Sequence, residues 1–176
     1  MTPESLIEAN MQFWTVRAMK DTDRAYIVKS WLTTMESSSP HAKFLRLPYL
    51  AGQNRLMASQ CADAWLVQTD PILEQIVEQS TVLVAVHADE PDIILAFIVG
   101  EVHATGPLLV HWVYTRSRYR GLKICNSLMT ALQGELAHDG TIVATNTSPY
   151  ARQQIQRRGY EQCPMFAFLP SKRFKP

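Results

Sequence analysis

The stretch that decides the fold runs from residue 108 to residue 136 and reads LLVHWVYTRSRYRGLKICNSLMTALQGEL. Its first part is mostly apolar, aromatic and β-branched, which predicts a strand over Leu108–Thr115. From Gly121 the apolar residues return every three or four positions, so this part predicts an amphipathic helix that Asp139 and Gly140 end. The two elements meet at a short basic loop.

Four cations lie at this strand-to-helix junction: Arg116, Arg118, Arg120 and Lys123. A helix N terminus offers unpaired N–H groups and the positive end of the helix dipole, so a phosphate can bind there. The junction therefore predicts an anion site, and a solvated basic turn is the alternative interpretation. The same dipole predicts a lowered pKa for the Cys125 thiol, although no histidine lies beside it in the sequence to support a nucleophilic role.

Length and composition limit the classes of protein that the chain can belong to. Its 176 residues fit one domain over residues 1–176, with a helical lead over residues 1–14. The formal net charge of +1 argues against nucleic-acid binding driven by bulk charge. Three widely spaced cysteines argue against a disulfide scaffold and a zinc site. Without a signal-peptide pattern or a run of about 18 apolar residues, we expect a cytoplasmic protein with no membrane partner.

The remaining segments predict a sheet that continues on both sides of this unit. The patterns predict strands over residues 15–19, 81–87, 93–103, 108–115, 141–145 and 165–169. They predict helices over residues 3–14, 56–66, 71–77 and 149–158, and one from residue 21 or 23 to residue 35. Because sequential strands usually pair, we expect a mixed, mainly antiparallel central sheet flanked by helices, which is an α/β (α+β) fold.

The loop residues 120–125, RGLKIC, resemble the acetyl-CoA loop of the GNAT superfamily of acyl-CoA N-acyltransferases, in which Arg or Gln precedes two small residues at fixed spacing. The resemblance implies the GNAT fold and a pyrophosphate contact from Arg118, Arg120, Gly121, Leu122, Lys123, Ile124 and Cys125. Lys123 and Cys125 stand where the family has small residues. Because small residues let the backbone approach phosphate, the lysine must either point away or contact phosphate itself.

The strand before the loop is included in the resemblance. The family implies that backbone amides and carbonyls of Val113, Tyr114 and Thr115 hold the pantetheine arm of acetyl-CoA. It further implies that this strand splays from its neighbour at that point.

A second family motif resembles residues 146–160. The resemblance implies that Asn146 and Arg152 contact the cofactor. The tyrosine that often protonates the departing thiolate in the family is replaced here by Ile155, and Tyr150 is the candidate substitute.

Transfer to an amine requires a base, because the amine must lose a proton before it attacks a thioester. His111 is one candidate, since a histidine used in proton removal occupies the matching strand position in the resembling arylalkylamine acetyltransferases. Its alternative is a structural histidine bonded to a backbone carbonyl in the sheet. Glu101 is the rival base, since many members use a carboxylate on an adjacent strand, and its alternative is an exposed carboxylate.

The leading interpretation is an N-acetyltransferase that transfers an acetyl group from acetyl-CoA to a primary amine of a small molecule, a protein lysine or a protein N terminus. A second interpretation is a catalytically degenerate bacteriophage protein that contacts a host protein, because residues 30–32 and 111–114 look similar to small phage-encoded GNAT-like proteins. A third is a toxin-like acetyltransferase of aminoacyl-tRNA, against which the near-neutral charge argues. Dimers are common in the resembling superfamily, so a homodimer is one expectation.

Overall fold

The fold was obtained as a computed structural model, which describes residues 13–38, 71–145 and 155–162. Several predictions concern the rest of the chain and lie outside the described residues. They are most of the helical lead, the helix over residues 56–66, the strand over residues 165–169, and the site candidates Asn146, Tyr150 and Arg152.

Among the described residues, six strands form one sheet, and their order across the sheet is their order in the sequence. The strands are β1 Trp14–Ala18, β2 Thr81–His87, β3 Ile94–Val102, β4 Leu108–Thr115, β5 Ile142–Ala144 and β6 Glu161–Gln162. Strands β1 to β4 pair antiparallel in succession, whereas β4 with β5 and β5 with β6 pair parallel. The predicted mixed, mainly antiparallel sheet is confirmed.

Three helices flank the sheet within the described ranges, namely α1 Arg24–Ser38, α2 over residues 71–79 and α3 Ile124–Glu135. A short helical segment over residues 155–158 ends at Gly159, whose φ is +70°. Helix α1 continues to Ser38, beyond the predicted end near Met35, and stops two residues before Pro40. None of the helices in the described part is both long and apolar enough to cross a membrane.

Helix α3 is shorter at both ends than predicted. It begins at Ile124 rather than Gly121 because Gly121 and Lys123 have positive φ angles of 89° and 58°. It ends at Glu135 because Ala137 adopts the left-handed conformation, with φ +47°. The N–H groups of Ala137 and His138 then bond the carbonyls of Gly134 and Gln133, at 3.2 and 2.9 Å, which is a Schellman ending. Because glycine or asparagine usually occupies this left-handed position, the alanine here gives no sign in the sequence that the helix ends.

Trp14 corrects the prediction of a helical lead over residues 1–14, since it opens strand β1 and pairs with His87. The aromatic and β-branched residues Trp14, Thr15 and Val16 favour extended backbone. The strand predicted over residues 15–19 is therefore confirmed with a shift of one residue.

The two faces of the sheet carry separate cores. On one face Ile27 and Trp31 of α1 pack with Val77 of α2 against Phe97 and Trp112 of the sheet. On the other face Ile124, Leu128 and Leu132 of α3 pack against sheet residues that include Ile98 and Leu108. Fully burying one such side chain contributes about 1.5–3 kcal/mol, so both layers stabilise the sheet.

Gly100 allows α3 to approach the sheet closely. A Cβ atom at this position would lie 2.7 Å from the carbonyl oxygen of Leu109 and 2.8 Å from Cδ2 of Leu132. Both distances are shorter than van der Waals contact, so any larger residue would push β4 and the Leu132 side chain of α3 away from β3.

Candidate functional site

Strand β4 contains one extra residue opposite β3. Val99 pairs with Trp112, but the next residue, Gly100, pairs with Val110, so His111 has no partner in the register. The inward alternation reverses at this bulge: Val110 packs in the α3 core, whereas Trp112 packs in the α1 core. Bulges of this kind redirect a side chain. Here the bulge places an imidazole in a sheet position that is buried on both faces.

His111 is held by two side chains from neighbouring strands. Its Nε2 lies 3.1 Å from Oε1 of Glu101, on β3, and its Nδ1 lies 3.2 Å from Oγ1 of Thr145, directly after β5. All three residues are at least nine-tenths buried. Among the described residues only one other polar or charged side chain is buried, that of Asp23. Buried polar groups are costly unless paired, so this cluster is the chemically distinctive part of the sheet.

The structure corrects the alternative interpretations of both candidate bases. His111 contacts side chains rather than a backbone carbonyl in the sheet. Glu101 is 6% exposed rather than a surface carboxylate, because it lies in a strand covered on both faces. Two other histidines, His87 and His103, accept the backbone N–H groups of Asp89 and Thr105 at turns.

The second half of β4 has an open edge in the described part of the chain. Strand β5 pairs only with Leu108–Val110, and the last link is the Thr145 N–H to the Val110 carbonyl at 3.0 Å. Beyond this link, Val113 to Thr115 have no neighbour on that side among the described residues, and the splayed arrangement that the resemblance implies stays a prediction.

Tyr114 and Thr115 on this edge have side-chain neighbours. The Tyr114 ring stacks on Phe97 with centroids 5.2 Å apart, and burial, followed by the adjacent Tyr26 hydroxyl, raises the pKa of Tyr114. The Thr115 carbonyl accepts a 3.3 Å hydrogen bond from Nε of Arg120. That bond folds the predicted phosphate-binding arginine back toward the end of β4.

The loop between β4 and α3 presents an uncapped helix N terminus. A 3-10 turn over Ser117–Tyr119 leads to Gly121 and then to Lys123, the N-cap residue of α3, from which no side chain caps the helix. The left-handed backbone of Lys123 costs roughly 1–2 kcal/mol for a non-glycine residue. This conformational cost explains why the GNAT pattern has a small residue at this position. The free N–H groups of the first turn suit an anion.

The four predicted cations differ in their surroundings. The guanidinium of Arg116 lies 5.0 Å from the ring centroid of Tyr26, and its Nε donates to the Tyr26 hydroxyl at 2.8 Å. Arg116 therefore ties β4 to α1 and is not free for a ligand. Arg118, Arg120 and Lys123 are exposed, with Arg118 lying over the Tyr119 ring. Three of the four cations predicted for the anion site are therefore exposed, and one of them, Arg120, is bonded to the Thr115 carbonyl.

The first turn of α3 contains two of the predicted cofactor residues. Ile124 is 1% exposed and packs in the α3 core, so its side chain does not face the loop. Burial raises the pKa of Cys125, with Arg158 opposing the shift, which contradicts the lowered pKa predicted from the helix dipole. The helix dipole is outweighed because the thiolate would lose its hydration. Arg158 also donates to Oδ1 of Asn126 and so brings a cation that was not among the predicted cofactor residues to this helix end.

Thr145 is the other residue that sequence reasoning missed. Thr145 lies at the end of a strand that was predicted correctly. Its contact with His111 joins residues 34 positions apart, so no local sequence pattern predicts the contact. Among the residues that the structure describes, no three His, Cys, Asp or Glu side chains are placed to hold a metal ion.

The sequence matches no protein-family model and no curated protein sequence. The structure is similar to an acetyltransferase of the GNAT family from Staphylococcus aureus, with a TM-score of 0.55, 13% identity and 83% of each chain covered. A ribosomal-protein-alanine N-acetyltransferase from Brucella melitensis gives a TM-score of 0.51 at 12% identity, covering 85% of this chain and 93% of that one. A possible acetyltransferase from Clostridium difficile gives 0.51 at 14% identity, covering 86% and 93%. The chain therefore has the fold of the GNAT acetyltransferases.

Proposed function

We propose that this chain is an N-acetyltransferase that transfers an acetyl group from acetyl-CoA to a primary amine. One observation carries the proposal: the buried pair of Glu101 and His111 adjoins the half of β4 that pairs with no described strand on one side, and β4 leads directly into the uncapped N terminus of α3. In this proposal the pair is the base, the edge of β4 binds pantetheine, and the helix N terminus binds the pyrophosphate.

The described residues fit acetyl-CoA as the co-substrate. Its pyrophosphate would accept hydrogen bonds from the N–H groups of the loop and of the first turn of α3, with Arg118 and Lys123 adding positive charge. Its pantetheine amides would bond to the open edge of β4 at Val113 and Thr115. Contacts from Asn146 and Arg152 remain part of the proposal on the resemblance alone.

The chemistry requires few groups beyond this arrangement. The Glu101–His111 pair would accept a proton from the ammonium of the acceptor, which frees a nitrogen lone pair. The nitrogen then forms a C–N bond to the thioester carbonyl, the C–S bond breaks, and the sulfur leaves with one of the two remaining N–H protons, while the amide keeps the other. Tyr150, the candidate substitute for the family tyrosine that Ile155 replaces, would deliver this proton to the sulfur. Positioning of the two substrates supplies much of the remaining rate enhancement.

The acceptor that we propose is a primary amine on a small molecule, a protein lysine or a protein N terminus. The Brucella neighbour, with its different sequence, is named for alanine of ribosomal proteins, so protein N termini belong in the first set of acceptors to be tested. A homodimer and a host-protein partner stay proposals that rest on the resemblance.

Calorimetry and thermal melting with acetyl-CoA test the cofactor part directly. A ligand at 100 times its dissociation constant stabilises the native state by about 2.7 kcal/mol, so binding raises the melting temperature. Turnover is then followed as thiol release with two peptides, one with a free N-terminal alanine and one with a blocked N terminus and a free lysine. The absence of heat and of a melting shift at millimolar acetyl-CoA would contradict the proposed function.

A further inference from the structure

We infer that Thr145 is a positioning residue that donates a hydrogen bond from its hydroxyl to Nδ1 of His111. The consequence is that Oε2 of Glu101, and not the imidazole, receives the amine proton. The inference rests on the proposed function and assigns the proton acceptor within it. It depends on three side chains, from β3, from β4 and from the residue after β5, that form one buried chain of hydrogen bonds.

The first step concerns the Thr145 hydroxyl, which has one proton and two neighbouring acceptors. Its Oγ1 lies 3.2 Å from Nδ1 of His111 and 3.5 Å from the Val110 carbonyl oxygen. That carbonyl already accepts the Thr145 backbone N–H at 3.0 Å. A hydroxyl donor at 3.5 Å is at the limit of a hydrogen bond, so the imidazole nitrogen is the better acceptor.

The second step concerns which nitrogen of the His111 ring carries the proton. If Nδ1 accepts the hydroxyl proton, a neutral imidazole carries its own proton on Nε2. That N–H then donates to Oε1 of Glu101 across 3.1 Å, and the carboxylate is an acceptor. Each contact in the chain now joins one donor to one acceptor.

The opposite tautomer leaves two groups mismatched. A proton on Nδ1 would force the Thr145 hydroxyl toward the distant Val110 carbonyl, and the Nε2 lone pair would face the carboxylate at 3.1 Å with no proton between them. An imidazolium would repair the second contact but would still leave the hydroxyl with only the 3.5 Å partner. Mismatched polar groups in a buried site are unfavourable, because they lose their hydrogen bonds to water and gain none in return.

The consequence concerns the base. With Nδ1 occupied by Thr145 and Nε2 carrying a proton, His111 has no lone pair to offer an incoming ammonium. Glu101 uses only Oε1 among its contacts with described residues, which leaves Oε2 for the amine proton. His111 then orients and stabilises the carboxylate, and Thr145 orients His111.

Nitrogen NMR of histidine-labelled protein tests the hydrogen-bond assignment without any substrate. The signals of His111 are identified by their loss in His111→Gln. We expect Nε2 protonated and Nδ1 unprotonated but hydrogen-bonded at neutral pH. Thr145→Val should move the Nδ1 signal toward that of a free lone pair, and Thr145→Ser should restore it. A protonated Nδ1 in the native protein, or no change in Thr145→Val, overturns the inference.

Kinetics with acetyl-CoA and the better of the two peptides tests the positioning role. We expect kcat to fall on the order of tenfold in Thr145→Val, with KM for acetyl-CoA unchanged, and to recover in Thr145→Ser, a smaller loss than removing a general base. An unchanged kcat in Thr145→Val also overturns the inference. A protein with the expected nitrogen pattern and no turnover instead refutes the proposed function, so the two failures are distinguishable.

Discussion

Two regions of the molecule each bury a carboxylate, and they satisfy it in different ways. Asp23, at the start of α1, accepts two bonds from the guanidinium of Arg17, at 2.6 and 3.2 Å, and one from the Lys20 N–H at 2.8 Å. Glu101, in β3, accepts one bond, from His111, among the described residues. A carboxylate whose two oxygens both accept hydrogen bonds from a permanent cation has a structural role. A carboxylate that bonds an imidazole through one oxygen, and no described residue through the other, can still accept a proton.

The Arg17–Asp23 ion pair also connects separate parts of the fold. Arg17 lies on β1, Asp23 leads into α1, and the same guanidinium donates to the Pro91 carbonyl in the β2–β3 turn at 3.1 Å. Three segments of chain are therefore joined at one buried ion pair. Removing one partner would leave the other charge uncompensated.

Glu101→Gln should produce the largest effect, and it should be on catalysis. The amide keeps the size of the side chain and an oxygen that accepts the His111 N–H, but it cannot take a proton. We expect kcat to fall by about 100-fold or more, the usual contribution of a general base. Thiol release from acetyl-CoA in the presence of the amine peptide measures the loss.

Glu135→Gln is the matched control, because Glu135 is an exposed carboxylate at the end of α3. This control should leave kcat and the melting temperature unchanged. If Glu101→Gln turned over as fast as the native protein, Glu101 would be as structural as Asp23 and the contrast between the two regions would disappear.

Asp23→Asn should produce the next largest effect, and it should be on stability. Losing charge-assisted bonds to a side chain that is 7% exposed should lower the free energy of unfolding by roughly 2–3 kcal/mol, with kcat unchanged. Urea unfolding measures the change. Asp21→Asn, an exposed aspartate in the same turn, is the control that should unfold like the native protein.

The stability difference between native protein and Asp23→Asn should also depend on pH. Burial raises the pKa of Asp23, but the hydrogen bonds from Arg17 and Lys20 outweigh it, so the pKa lies below the ordinary value. A lowered folded pKa stabilises the protein above the unfolded value of about 3.9 and loses this effect as the pH falls through the folded value. The two unfolding curves should therefore converge below about pH 4. Curves that stay parallel to acid pH would show that the Asp23 charge contributes nothing.

Lys123→Gly should produce the smallest effect, and it extends the comparison to cations. Arg116 is bound to Tyr26, whereas the side chain of Lys123 is exposed and makes no hydrogen bond or ion pair to another described residue. Glycine relieves the left-handed backbone, so we expect a gain of roughly 0.5–1 kcal/mol in stability. We also expect acetyl-CoA to bind a few-fold more weakly, since a charge at a helix N terminus contributes about 0.3–1 kcal/mol to anion binding.

Calorimetry in low and high salt measures the Lys123 effect, because the contribution of an exposed charge is screened by salt. Equal affinities of the native protein and Lys123→Gly for acetyl-CoA in low salt would mean that the lysine neither binds nor obstructs the pyrophosphate. A tighter complex in Lys123→Gly would mean that the lysine obstructs it.

Most of the fold was predictable from local pattern. Strands β2, β3 and β4 lie within one residue of their predicted bounds, since alternation and β-branched composition act over a few residues. The GNAT fold, expected from the loop and the order of elements, is confirmed. The errors at the two ends of α3 fall where backbone conformation departs from residue preference, since Lys123 and Ala137 adopt left-handed backbone.

The sequence by itself determined the strand, basic loop and helix from residue 108 to residue 136, because hydrophobic period and turn signals are properties of neighbouring residues. Only the tertiary structure decided which of these residues act together. The bulge at His111 and its contacts with Glu101 and Thr145 arise from strand register, which joins side chains 10 and 34 residues apart. A shift of one residue turns a side chain to the other face of a sheet, so this cluster depends on the register as a whole.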